Sequence, residues 1–334
     1  MNKEQIHQLL KEGTFQGKPL AGELIETHIS WVILTAGYAF KLKKPMHYPF
    51  LDFSTLERRK HYCEREVLLN RRLTDIYLDV LPVRLAAGKY HLGPGEGETI
   101  GYAVWMKKMN DALKMDNLLR SQSVRPDQII GLALKIAAFH QSAEVIDRPF
   151  DLEAYRELFN DLQSVHAFVQ KNMGAGPASK IDNAVSHSDR FLETHVAYLS
   201  QRVEAGLQRD VHGDLHAKNI FLYEDPVIFD CIEFSDGLRQ IDVLNEIAFF
   251  CMDLEAFGQH ELSELFYRSY LEQFPELKDE KCRELFTYYK SYRANIRAKV
   301  NVLRAMQATQ KQEREIFLMA VKKYLDLMSA YIYA

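Results

Sequence analysis

The sequence predicts an α+β protein in which a β-rich first part, residues 1–107, precedes a larger and mostly helical part, residues 108–334. Three observations lead there. Short runs rich in β-branched and aromatic residues, bounded by turn residues, fill the first part. After Met109 the apolar residues recur at helical spacing almost to the end. The helical pattern is interrupted by one strand-turn-strand stretch, "DVHGDLHAKNIFLYEDPVIFDCIEF", at 210–234. A chain of 334 residues has room for two lobes with cores of their own.

The elements follow in order. "MNKEQIHQLLKEGTF" reads as a polar amphipathic helix, not a signal peptide. "THISWVILTAGYAFKLKKP" gives strands over 29–35 and 38–43, joined through Ala36-Gly37. "STLERRKHYCEREVLLNRRL" repeats apolar residues at helical spacing, with Ser54 or Thr55 as N-cap. Strands are expected near 79–86, 89–92 and 101–106, the last two separated by the hairpin loop "GPGEGE". In the helical part "GAGPAS", 174–179, marks a break. At 210–234, Ile220-Phe221-Leu222 and Val227-Ile228-Phe229 flank the turn Tyr223-Glu224-Asp225-Pro226.

Composition narrows the function classes. With 47% hydrophobic and 26% charged residues, the chain has the make-up of an ordinary globular protein. A net charge of -4 gives no general attraction to nucleic acid or to an acidic membrane surface, so neither is an expected partner. Cys63, Cys231, Cys251 and Cys282 are scattered, which argues against a disulfide framework or a zinc site and makes a reducing cytoplasm the expected location. No apolar run reaches membrane-spanning length. "GTFQGKP" is one residue short of a phosphate-binding loop and has Pro19 where that loop needs a hydroxyl.

The hairpin is bracketed by groups that resist burial: His212, Asp214 and Asn219 before it, Asp230 and Glu233 after it. Transfer of a phosphoryl group from ATP to a hydroxyl would use such a set. It needs an acceptor for the hydroxyl proton, hard oxygen ligands for Mg²⁺ and a cation on the phosphates. Asp214 and Asn219 are five positions apart, the spacing of base and metal ligand in the kinase catalytic loop, and Asp230 follows the second strand where a magnesium aspartate would stand. Asp214 is therefore expected as the base, with Asn219 and Asp230 on the metal. His212 is expected to orient the loop, with proton transfer as its other possible role. Glu233 could reach the metal region or serve as a salt-bridged carboxylate. Upstream, Lys41 follows Ala39-Phe40 much as a kinase lysine follows its strand, and alternation puts Lys43 on the same face, so either could meet the phosphates. The helix partner is sought first in Glu66 and second in Glu64.

These residues resemble the aminoglycoside phosphotransferase-like kinases, the superfamily that also includes choline and fructosamine kinases. "VHGDLHAKNIF" and "VIFDCIEF" look like its catalytic and metal-binding motifs, and "IIGLALKIAAFHQSAE" like the helix preceding its substrate region, with Phe139 in place of a Leu and His140 in a structural role. "GYAVWMKKM" looks like the strand that enters the hinge, which would put nucleotide near residues 105–110 beside Met106 and Lys107. Longer stretches, among them "YRANIRAKVNVLRA", resemble a bacterial subfamily of phosphotransferase-like proteins, some of which carry an extra C-terminal P-loop kinase domain; no Walker loop is present here. The resemblance implies a two-lobed protein-kinase-like fold, ATP and Mg²⁺ as cofactors, and a small-molecule hydroxyl as acceptor. Thr35-Ala36-Gly37 is short and glycine-poor beside a protein-kinase phosphate loop, which makes a protein or RNA hydroxyl the weaker alternative. A nucleotide-binding regulator with little catalysis is the other.

One further pattern concerns the acceptor. Along "YYKSYRANIRAKVNVLRA", 288–305, Lys290, Arg293, Arg297 and Arg304 fall in a narrow stripe beside the apolar face. Arg293 and Arg297 are therefore candidate substrate contacts, and the acceptor is expected to carry negative charge.

Overall fold

The structure, a computed structural model, describes residues 1–48, 51–277 and 279–333. The first elements are α1 (Lys3–Glu12), β1 (Thr14–Phe15), β2 (Lys18–Pro19), β3 (Glu23–Glu26), β4 (Ser30–Leu34) and β5 (Tyr38–Lys43). They are followed by β6 (His47–Tyr48), β7 (Leu51–Asp52), α2 (Leu56–Asn70), β8 (Tyr77–Ala86), β9 (Lys89–Leu92) and β10 (Glu98–Lys107). Next come α3 (Met115–Arg120), α4 (Pro126–Ser142), α5 (Leu152–Asn160), α6 (His166–Met173), α7 (Ala175–Glu204) and β11 (Gln208–Asp210). The remainder is β12 (Ile220–Phe221), β13 (Val227–Ile228), α8 (Asp236–Arg239), β14 (Gln240–Asp242), α9 (Val243–Ala256), α10 (His260–Gln273), α11 (Glu280–Gln307) and α12 (Lys311–Ile332). These elements form two compact units. The first takes in Met1–Asn117 and Asn219–Arg239, the second Leu118–Lys218 and the residues from Gln240 onward.

The first unit is built on an eight-stranded sheet of order β2-β1-β9-β8-β10-β5-β4-β3. Strand alternation divides it into two faces. Phe40 and Leu42 join Trp31, Ile33, Val83 and Ala103 on one face, where α1 buries Ile6 and Leu9. On the other, Ala39, Val104 and Met106 pack with Cys63 and Val67 of α2. Thr55, not Ser54, caps α2, its hydroxyl accepting the Arg58 N–H at 3.2 Å. β1, β2 and β3 were not anticipated, because each is too short or too exposed to show alternation. "GTFQGKP" is a tight hairpin with Gln16 and Gly17 at positive φ. "GPGEGE" links β9 to β10, with Gly93, Gly95 and Gly97 at positive φ. β12 and β13 also belong to this unit, and β12 continues into the loop after β10 through the Leu222 N–H, which donates to the Leu113 carbonyl at 2.8 Å.

The second unit is helical. Residues Val243 to Leu254 of α9 are all buried, so this helix is the unit's centre, with α10, α11 and α12 among the helices around it. Pro126 opens α4 at a position where its missing N–H leaves no bond unmade. The expected break at 174–179 is narrower than the composition implies: Gly174, at φ 89, separates α6 from α7, and Pro177 is accepted within the first turn of α7. The whole is an α+β chain with a β-rich first part and a helical C-terminal part.

Candidate active site

Two groups of polar residues stand out, one in each unit. The first starts on β5, the strand between β4 and β10. Its alternation points Lys41 and Lys43 toward the face covered by α2, where Glu66 is fully buried. The Lys41 ammonium donates to Glu66 Oε1 at 2.8 Å and to Asp230 Oδ1 at 2.5 Å. Lys43 donates to Glu66 Oε2 at 2.6 Å and to Glu233, and stands 4.9 Å from the centre of the Phe53 ring. Two cations and three carboxylates thus form one chain of ion pairs, three of its five members sealed from water. Glu64 lies on the outer face of α2 and, among the described residues, pairs only with Lys60, at 3.6 Å.

Burial in such a place opposes every charge, and the partners decide the outcome. Burial alone would lower the Lys41 ammonium, yet Asp230 and Glu66 hold it well above its ordinary value. Burial would raise the Glu66 carboxyl, yet Lys41 and Lys43 hold it at about 2. Glu233 goes the other way: burial raises it, Lys43 opposes, and the Glu66 charge leaves it above its ordinary value. Lys41 and Glu66 are therefore ionised at neutral pH.

Asp230 is held by more than Lys41. Its N–H donates to the Tyr77 hydroxyl at 3.0 Å, and the next N–H, of Cys231, donates to Asn70 Oδ1 at 3.0 Å. Its φ of 65 is unusual for a residue with a side chain, a strain that functional positions often carry. Arg239 donates to the Ile232 carbonyl at 2.9 Å and to Asp236 at 2.6 Å, tying down the segment that follows. The Phe229 N–H donates to the Asn219 carbonyl at 3.0 Å, so the two ends of the hairpin meet and Asn219 lies beside the start of the Asp230 segment. The Asp230 side chain keeps 42% of its exposure. A carboxylate and an amide oxygen are hard donors of the kind Mg²⁺ accepts, and such an ion would take its other ligands from phosphates and water. The described residues contain no group of three or more His, Cys, Asp or Glu able to hold a metal without such help.

Val32, Leu34, Met109, Val227 and Phe229 are partly buried against the cluster of Ala39 and Met106, giving an apolar surface. Met106 itself is buried at the base of that surface. Lys107 is turned outward: its ammonium pairs with Asp75 at 2.7 Å and its N–H donates to the Ile76 carbonyl at 2.9 Å. Met109, which the sequence reading passed over, is partly buried against the same cluster.

The second group is the loop 212–217. Glu246, on α9, receives the N–H of His212 at 3.2 Å and that of Gly213. Its Oε2 also meets His140 Nε2 at 2.7 Å, and His140 Nδ1 meets the Tyr270 hydroxyl at 2.8 Å. Burial would raise Glu246, but its bond to His140 keeps the carboxyl below its ordinary value. Two turns further along α9, Asp253 Oδ2 accepts the Ala217 N–H at 2.9 Å. Arg293 completes the frame, donating to Asn245 Oδ1 at 2.7 Å and to the Gly213 carbonyl at 3.3 Å. Arg293 is only 5% exposed, so it braces the loop where the sequence pattern had put it among substrate contacts. His212 is buried and accepts the Asp214 N–H on Nδ1 at 3.2 Å, which orients the loop.

Asp214 projects from this frame with 39% of its side chain exposed. His216 Nδ1 accepts the Lys218 N–H at 3.2 Å, which leaves the Nε2 proton facing Asp214 Oδ2 at 3.4 Å. Burial would raise the Asp214 carboxyl; His216 outweighs it, aided by Arg297 and His212, and keeps it well below its ordinary value. Neither His216 nor Glu246 was anticipated. A lone His and a carboxylate thirty-two residues past Asp214 carry no spacing of their own.

Comparison with known proteins bears on the fold. Over 97% of its length the chain superposes on 98% of the GDP and kanamycin complex of APH(2″)-IIIa, an aminoglycoside phosphotransferase, with TM-score 0.56 and 13% identity. A choline/ethanolamine kinase family protein from Mesorhizobium loti gives 0.53 at 15% identity, covering 99% of both chains. Plasmodium vivax ethanolamine kinase gives 0.51 at 11% identity, over 91% of this chain and 81% of that one. The chain has the protein-kinase-like fold of the aminoglycoside phosphotransferases and choline/ethanolamine kinases. Uncharacterised proteins of Mycobacterium tuberculosis and Mycobacterium bovis are 30% identical over 306 residues, 89% of this chain and 58% of theirs. The chain thus spans little more than half the length of these relatives. No protein-family model matches it.

Proposed function

We propose that the chain is an ATP- and Mg²⁺-dependent phosphotransferase that phosphorylates a hydroxyl of a small molecule. One observation carries the reading. Lys41 lies within hydrogen-bond distance of both Glu66 and Asp230, residues 25 and 189 positions away in sequence. The three were expected together only on the hypothesis of phosphoryl transfer, and a merely structural ion pair has no need of the strained aspartate. The apolar surface beside Ala39 and Met106, which would suit a purine ring, and the neighbours' kinase fold support it.

The chemistry follows from the side chains. The acceptor oxygen attacks the γ-phosphorus, a new O–P bond forms, and the bond to the β,γ-bridging oxygen breaks with its electron pair leaving on ADP. Asp214, ionised and only half covered, takes the hydroxyl proton. His216 and the Glu246–Arg293 frame hold Asp214 in place. Lys41 steadies the α- and β-phosphates and is itself held by Glu66. Asp230 and Asn219 would hold Mg²⁺, which supplies neutralisation of phosphate charge when bound. Lys43, sealed between Glu66 and Glu233, is a structural cation that fixes Glu66.

The test is nucleotide turnover by the purified protein with and without metabolite extracts, in Mg²⁺ and in EDTA. Metal-dependent ADP release that rises severalfold with extract supports the reading. ADP binding with no transfer to any fraction would refute it in favour of a nucleotide sensor.

A further inference from the structure

Three cations of the second unit remain unexplained by the frame around Asp214. Arg297 and Arg304 are two turns apart on α11 and share a face; Lys323 lies on the neighbouring α12. The Arg297 guanidinium stands 5.5 Å from the centre of the Tyr324 ring, and the Lys323 ammonium 5.6 Å from the same ring and 5.6 Å from that of Phe257. Among the described residues none of the three cations makes an ion pair, and Arg297 Nε is buried with no hydrogen-bond partner. Elsewhere α11 pairs its cations: Lys290 with Glu255 at 3.0 Å, and Lys299 with Asp161.

We propose that Arg297, Arg304 and Lys323 bind an oxyanion, phosphate or carboxylate, carried by the acceptor whose hydroxyl Asp214 deprotonates. This rests on the phosphotransferase reading and gives it a substrate class. The carboxylates facing the cluster are Asp214 and Asp253. Asp253 is engaged by the Ala217 N–H and Asp214 serves the hydroxyl, so neither neutralises the three cations in full. The cations oppose one another: burial lowers Arg304 and then Arg297 lowers it further, and Lys323 is likewise lowered by burial and by Arg297 despite Asp253. A bound anion relieves that repulsion. Arg297 and Arg304 act on the Asp214 carboxylate electrostatically, so an anion held by them lies near the base. Guanidinium forks suit the two oxygens of a carboxylate or phosphate, and the Tyr324 ring beside Arg297 and Lys323 keeps those two cations in place. A cationic acceptor such as an aminoglycoside would be repelled at the same spot.

The experiment compares the wild type with Arg304→Gln plus Lys323→Gln, two exposed positions whose change leaves the core untouched. Calorimetry in the presence of ADP measures binding of inorganic phosphate, then of the matched set glucose, glucosamine, gluconate and glucose 6-phosphate. The expected result is saturable phosphate binding that weakens roughly tenfold or more in the double variant. Within the set, gluconate or glucose 6-phosphate should compete with phosphate while glucose and glucosamine do not, and whichever competes better separates a carboxylate from a phosphate acceptor. Absence of saturable phosphate binding to the wild type, or equal binding by the double variant, overturns the proposal. ADP binding, recorded in the same titrations, keeps the two readings apart. A wild type that binds phosphate but not nucleotide would sink the phosphotransferase assignment, whereas one that binds ADP but no anion would sink only the substrate class.

Discussion

Replacing Glu66 with Gln keeps the shape of the side chain and removes its charge from the centre of the ion-pair chain. Lys41 would then rely on Asp230 and Lys43 on Glu233. Glu66 is fully buried, and its carboxyl is held at about 2 instead of 4.5, a difference of about 2.5 units, or about 3 kcal/mol at neutral pH. That agrees with the ~3–5 kcal/mol lost when one partner of a buried pair is removed. The chain offers a selective probe, since its two tryptophans, Trp31 and Trp105, both lie in the first unit. Urea unfolding followed by tryptophan fluorescence should show the midpoint falling by about 1.5 M, taking a slope of roughly 2 kcal/mol/M. Glu64→Gln, on the exposed face, should change stability by under about 0.5 kcal/mol. The pH dependence fixes the sign. A carboxyl depressed in the folded state contributes stability that is present above about 4.5 and lost as pH falls toward about 2. The gap between wild type and Glu66→Gln should therefore close over that window. An unchanged midpoint at pH 7, or a gap that persists at pH 2, would show that the Lys41–Glu66–Lys43 chain does not stabilise the sheet.

Four further outcomes are expected. Asp214→Asn should lower phosphoryl transfer about 10²-fold or more while ADP affinity measured by calorimetry is kept; near-normal turnover would remove Asp214 from the chemistry. Since the Asp214 carboxyl lies below its ordinary 3.8, the wild-type kcat/KM profile should show no acidic limb from this residue above about pH 4. Asp230→Ala should weaken Mg·ATP binding and turnover together, and Asn219→Ala the same but more mildly; an unaltered magnesium titration of Asp230→Ala would mean that the hairpin has been misread. Kanamycin-like compounds should be poor acceptors, and efficient ³²P transfer to them would contradict the oxyanion site proposed at Arg297, Arg304 and Lys323.

The sequence alone determined the segments of this protein whose physics is local. Alternation along 38–43 placed Lys41 and Lys43 on one face, helical spacing marked α2, and a strand-turn-strand pattern set Asp214, Asn219 and Asp230 at the intervals a kinase loop requires. Each is legible because the backbone period and the spacing of polar residues are written within a few turns of chain. The partners were not legible in that way. Glu66 and Glu64 look alike on the helix, and only packing buries one against both lysines and leaves the other in water. Arg293 and Arg297 are one helical turn apart, yet the first braces Gly213 from within the core and the second lies beside Tyr324 without an ion-pair partner among the described residues. Glu246, His216 and Asp253 had no motif at all. Their roles come from α9 crossing beneath the loop, a long-range contact that brings carboxylates to backbone N–H groups which burial would otherwise leave unsatisfied. Tertiary structure decided these because charge in a folded protein takes its meaning from what excludes water around it, and sequence spacing does not record that.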